Sequence, residues 1–115
     1  MRTQQTHQPT RQQILDEIGI FRRQIAPAVK WLEAEISAAA HQPGNKDYVD
    51  GLKQELHEIE RVTVDGEGII QQASDLALKQ ALLGILRDPK TGQQREPQAV
   101  GWRIILTKLV EQSDL

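Results

Sequence analysis

An all-α fold, a small bundle of four to five helices with a long first helix, is predicted by three features of this 115-residue chain. Apolar residues recur at intervals of three and four along most of it, the spacing that lines one face of a helix. Aromatic residues make up only 3% of the chain, so the core has to be built from Leu, Ile, Val and Ala, which suit helix packing better than a strand-rich sandwich. The one β-branched run, between Arg61 and Gly68, is short and would find no second strand to pair with.

Taken in order, the first nine residues are polar and end in Pro9, which predicts a flexible arm, with residues 10–115 forming a single helical domain around one core. Thr10 has the character of an N-cap. Behind it Ile14, Ile18, Phe21, Ile25, Ala28, Leu32 and Ile36 line one face for about six turns, the strongest pattern in the chain. Pro27 interrupts that stripe without shifting its phase, which favours one long helix kinked at the proline; two helices broken near Ala26 are the alternative.

Pro43 and Gly44 mark a loop, with Asn45 placed to cap a second helix. That helix sorts Tyr48, Val49, Leu52, Leu56 and Ile59 to one side and Asp47, Asp50, Glu55 and Glu58 to the other. Residues 61–68 read as an extended connector ending in Asp65 as the next cap. From about Glu67 to Arg87 apolar residues reach most of the way round, as in a buried central helix. Asp88-Pro-Lys-Thr-Gly92 is an exposed turn, and Pro97 opens a last helix whose thin polar stripe of Arg103, Thr107 and Glu111 implies cover on most sides.

The absence of cysteine excludes disulfides, thiolate catalysis and cysteine metal sites. No stretch approaches the roughly 18 apolar residues of a membrane span, and Met1 to Thr10 has no apolar leader region, so the expectation is a soluble cytoplasmic protein with no membrane partner. His7, His41 and His57 stand apart, and only His57 with Glu60 has a spacing that could share a metal. Neither Asp65-Gly-Glu-Gly68 nor Pro89-Lys-Thr-Gly92 has the glycine spacing of a nucleotide loop. No catalytic residue, metal or cofactor is therefore assigned.

Charge is unevenly placed. Residues 1–30 carry five Lys/Arg against two acids, whereas residues 31–67 carry three against nine. The acidic face of Asp47, Asp50, Glu55 and Glu58 is a candidate surface for a basic partner. Arg11, Arg22, Arg23 and Lys30 are candidate phosphate contacts for a regulator that binds nucleic acid through a basic first helix. Trp31 and Trp102 are candidate interface residues, because tryptophan concentrates at interfaces and both lie in amphipathic helices. The stripe from Ile14 also suits pairing with a second helix, including one from another copy in a homodimer. The expected function is a non-enzymatic module that presents helical surface to a protein partner or to itself, possession of a nucleic-acid site being the alternative.

Overall fold

The computed structural model describes residues 8–112 and is an all-α bundle, with no strand among those residues. Helix α1 spans Arg11–Ala39, α2 Lys46–Glu60, α3 Gly66–Gln72, α4 Asp75–Leu86, α5 Pro97–Val100 and α6 Trp102–Glu111. A π-helical segment, Arg61–Asp65, joins α2 to α3 without a break. Of the expected arm, residues 1–7 lie outside the described residues; Pro9 is buried, and the Gln8 amide donates to Lys79 O at 3.3 Å.

Thr10 caps α1 as expected, and the cap is reciprocal. Its hydroxyl accepts from Gln13 N at 3.1 Å while the Gln13 amide oxygen accepts from Thr10 N at 2.7 Å. The helix then runs continuously through an exposed Pro27 for 29 residues, about 43 Å at the α-helical rise. The alternative of two helices broken near Ala26 is not adopted.

This length exceeds what one core can cover, and the expected single core is replaced by two clusters. Ile14 and Ile18, near the start of α1, enter the main core with Ile70, Leu82, Leu86, Ile105, Leu106 and Leu109. Farther along, Leu32 packs with Leu52 and Ile59 of α2, flanked by Ile25, Val29, Ile36 and Leu56. The second half of α1 and α2 thus form a hairpin that projects from the main body. The molecule measures 67 × 30 × 25 Å with a radius of gyration of 17.5 Å, against about 13 Å for a compact domain of this length. Ala28, placed on the stripe from sequence, is exposed, because the face packed on α2 is that of Ile25, Val29, Leu32 and Ile36 and Ala28 lies at its edge.

Four local expectations are corrected. The connector at 61–68 is helical, and Asp65 makes no side-chain cap. Burial of Val62 and Thr63 draws this stretch into the helix, and side chains add bonds to its carbonyls: Thr63 Oγ1 donates to Ile59 O at 3.0 Å and Arg22 Nη2 to Thr63 O at 2.7 Å. The expected helix from 67 to 87 is divided at Ala73, whose extended backbone lets Ser74 cap α4 by accepting from Ala77 N at 3.1 Å. The last helix is divided at Gly101, whose φ of 100° only glycine adopts without strain. Asn45 stands at the N-cap of α2 but makes no side-chain cap bond, its amide donating to Gln42 instead.

The end of α4 is closed from the following loop. Gln94 Nε2 donates to Leu83 O at 3.1 Å, while the Arg95 guanidinium reaches Leu86 O at 3.2 Å, Arg87 O at 3.2 Å and Ile85 O at 3.4 Å. A cation on these carbonyls also opposes the negative end of the helix dipole.

Two glycines are expected to respond oppositely to substitution. A Cβ at Gly84, exposed in the last turn of α4, meets nothing within 4 Å, so Gly84→Ala should raise stability by about 0.5 kcal/mol through helix propensity. A Cβ at Gly66 would lie 3.1 Å from Val110 Cγ2 and 3.9 Å from Ile18 Cδ1, so Gly66→Leu should lower stability by at least about 2 kcal/mol. Urea unfolding followed by far-ultraviolet circular dichroism measures both.

Candidate interaction surface

The side of α1 turned away from α2 carries a second stripe that the sequence reading did not isolate. With Ile25, Val29, Leu32 and Ile36 committed to the hairpin seam, Trp31 is rotated by about 100° from Leu32 and points outward. It is 56% exposed. Ile20, Gln24, Pro27, Trp31, Ala34 and Ala38 follow one another at intervals of four and three, and all but the half-buried Ile20 are exposed. The signal was present in the sequence as this spacing, hidden beside the more apolar stripe.

Trp102 stands near the start of the same stripe. It packs half-buried on the edge of the main core, and with Ile20, Gln24, Ile25 and Leu106 it lines an open cleft of about 270 Å³ between α1 and α6. Glu17 and Arg103 stand on the rim. Gln24 and Trp31 are seven residues apart on one side of α1, so the cleft leads along the helix to the exposed indole. The two tryptophans therefore have different roles, one closing the core and the other open to solvent.

The acidic residues are divided between the ends of α2. Asp47, Asp50, Glu55 and Glu58 are all exposed, but Asp47 and Asp50 lie towards the hairpin tip. Glu55 and Glu58 border a separate cleft of about 200 Å³ facing α6, which also has Arg61 and Arg103 on its walls. The Arg103 guanidinium lies 5.9 Å from the Phe21 ring centroid. Near the tip, Tyr48 Oη donates to Glu35 Oε1 at 3.2 Å; partial burial and the neighbouring carboxylate both push the phenol pKa up.

Of the four basic candidates, two are tied into the fold. Arg11 donates to Ile70 O and pairs with Asp75 at 2.6 Å, clamping the start of α1 to the junction of α3 and α4. Arg22 pairs with Glu67 at 2.8 Å as well as serving Thr63 O. Arg23 and Lys30 are exposed and form no ion pair among the described residues. His41 and His57 are also exposed, and no group of three His, Cys, Asp or Glu positioned to hold a metal occurs among the described residues.

Two helical positions expected under cover are open: Leu76 of α4 is 65% exposed and Ile104 of α6 is 49% exposed. Both helices have a side that no other helix reaches, which their near-continuous apolar sequences disguise. No helix among the described residues is long and apolar enough to cross a membrane.

Arg22→Met should lower stability by about 1–2 kcal/mol by removing the charged hydrogen bonds to Thr63 O and Glu67. Arg23→Met should change it by less than about 0.5 kcal/mol; thermal or urea unfolding of the two variants separates the structural cation from the free one. The Asp88 carboxylate accepts from Lys90 N at 2.7 Å and Thr91 N at 3.3 Å, and these bonds lower its pKa, with the backbone amide of Lys90 the leading cause. Its hold on the loop is therefore complete above the ordinary carboxylate range and is lost as pH falls through the lowered pKa. Amide exchange at Lys90 and Thr91 should lose protection on acidification, and Asp88→Asn should remove that pH dependence. Comparison of the chain with protein-family models, with curated proteins and with solved structures gives no match.

Proposed function

We propose that the protein is a non-enzymatic interaction module, acting in the cytoplasm, whose α1 outer face receives a helix or loop of a protein partner or of a second copy. The observation that carries this reading is Trp31, a large apolar side chain 56% exposed on a long helix, in line with the open cleft beside Trp102. A tryptophan held on a rigid helix loses little conformational freedom on binding and buries a large area, the properties of an interface anchor. The projecting hairpin favours the same reading, since α2 already covers the apolar side of α1 and leaves the Trp31 side open.

The alternative, a nucleic-acid regulator, keeps Arg23 and Lys30 as its free cations, with Arg11 and Arg22 engaged internally. Those two charges offer a short electrostatic footprint beside the acidic α2.

The deciding comparison uses the full chain and its Trp31→Ala variant in sedimentation equilibrium, and in capture from nuclease-treated lysate of the native host. The variant should keep its unfolding midpoint. The interaction reading expects a stoichiometric complex, with itself or with one protein, that weakens at least about tenfold in the variant. Equal association of both forms overturns the assignment of this face. Nucleic acid that co-purifies before nuclease treatment and is lost on Arg23→Glu with Lys30→Glu would favour the regulator instead.

A further inference from the structure

We propose that a third cleft, between the end of α4, the 87–95 loop and α6, binds an acidic peptide segment that carries an aliphatic side chain. The cleft has a volume of about 420 Å³, and its ionisable lining residues are three cations, Arg87, Arg95 and Lys108. In a chain with net charge −2, a cleft bordered by cations without a lining carboxylate is a local excess of positive potential. Its apolar lining includes Ile85, Pro89, Ala99, Val100 and Ile104, the last of them half exposed on the open side of α6.

The cations are not equivalent. Arg95 is fixed by its bonds to the three carbonyls at the end of α4, which use Nε and Nη2 and leave Nη1 without a partner among the described residues. Arg87 and Lys108 are exposed. Asp88 holds its carboxylate on the amides of Lys90 and Thr91 and also feels the charge of Arg95, but it does not line the cleft, and neither do the exposed Glu96 and Glu111. Gly84 contributes no side chain to the α4 wall, and a Cβ there meets nothing within 4 Å.

A ligand matching this arrangement has carboxylates for the rim and an aliphatic group for the floor formed by Ile85, Val100 and Ile104. The open, shallow form suits a segment of peptide laid across it, with charge complementarity supplying selectivity for acidic sequence. Ile104 and Lys108 lie on the side of α6 opposite Trp102 and Leu106, so this site is separate from the α1 face and does not depend on it.

The test is a titration of the isotope-labelled full chain with the synthetic peptide acetyl-Glu-Leu-Asp-Leu-Glu-amide, followed by amide chemical shifts. Saturable binding with a sub-millimolar Kd is expected, with the largest shifts at Gly84, Ile104 and Lys108. The counterpart with Gln and Asn in place of the acids should not bind, and added salt should weaken the acidic peptide. Arg87→Glu with Lys108→Glu should reduce affinity by at least about tenfold. Gly84→Leu, which keeps every charge and places a side chain on the cleft wall, should block binding while the folded spectrum is retained. No saturable binding, shifts elsewhere on the molecule, or binding unchanged in both variants would overturn the proposal. So would octanoate saturating the same residues as tightly as the peptide, which would make the site one for small amphiphilic anions.

Discussion

At three of the junctions between the helical segments of this protein, an arginine side chain donates hydrogen bonds to main-chain carbonyls. Arg11 serves Ile70 O at the end of α3, Arg22 serves Thr63 O in the π segment, and Arg95 serves the carbonyls of residues 85–87 at the end of α4. A guanidinium suits the task because its donors are rigidly spaced and its charge opposes the negative end of a helix. Each arginine also joins segments distant in sequence or turns the chain back on itself, so helix closure and tertiary placement are the same interaction.

The π segment is the junction with the widest effect. In α2 the side facing α1 is set by Leu52 and Ile59, whereas α3 must present Gly66 and Ile70 to α1 and α6 together. A widened turn takes up about one extra residue and rotates the face that follows relative to the face before it. The continuous run from Lys46 to Gln72 can then follow the far half of α1, turn, and enter the main core beside Ile18 and Val110. Gly66 lets the backbone come that close. The result is a body of packed helices with a projecting hairpin, and the hairpin leaves the Trp31 side of α1 in solvent.

The proposed functions use what this construction leaves open. α2 occupies one face of α1, so the stripe through Trp31 has no intramolecular cover, and the cleft beside Trp102 continues it onto α6. On the other side of α6 the short α5 and the loop after α4 reach only part of the surface, which leaves Ile104 among cations. Each candidate surface is a place where an amphipathic helix has more apolar circumference than a chain of this size can cover.

The sequence by itself determined the features governed by short-range chemistry: the helical class, the Thr10 cap, the long α1, the apolar side of α2, the turn from Asp88 to Gly92, and Pro97 at a helix start. These depend on residues within a turn or two of each other, where spacing and capping groups carry the information. Only the tertiary structure decided that residues 61–65 are helical, because the donors to their carbonyls include Arg22, 41 residues away from Thr63. It also decided which cations remain free and which tryptophan faces outward. Arg22 and Arg23 are adjacent and chemically identical in sequence, yet one is held by Thr63 and Glu67 while the other is solvated. Trp31 and Trp102 likewise both sit in amphipathic helices. Their fates differ because α2 claims the neighbouring face of α1, whereas the main core packs directly against one side of Trp102.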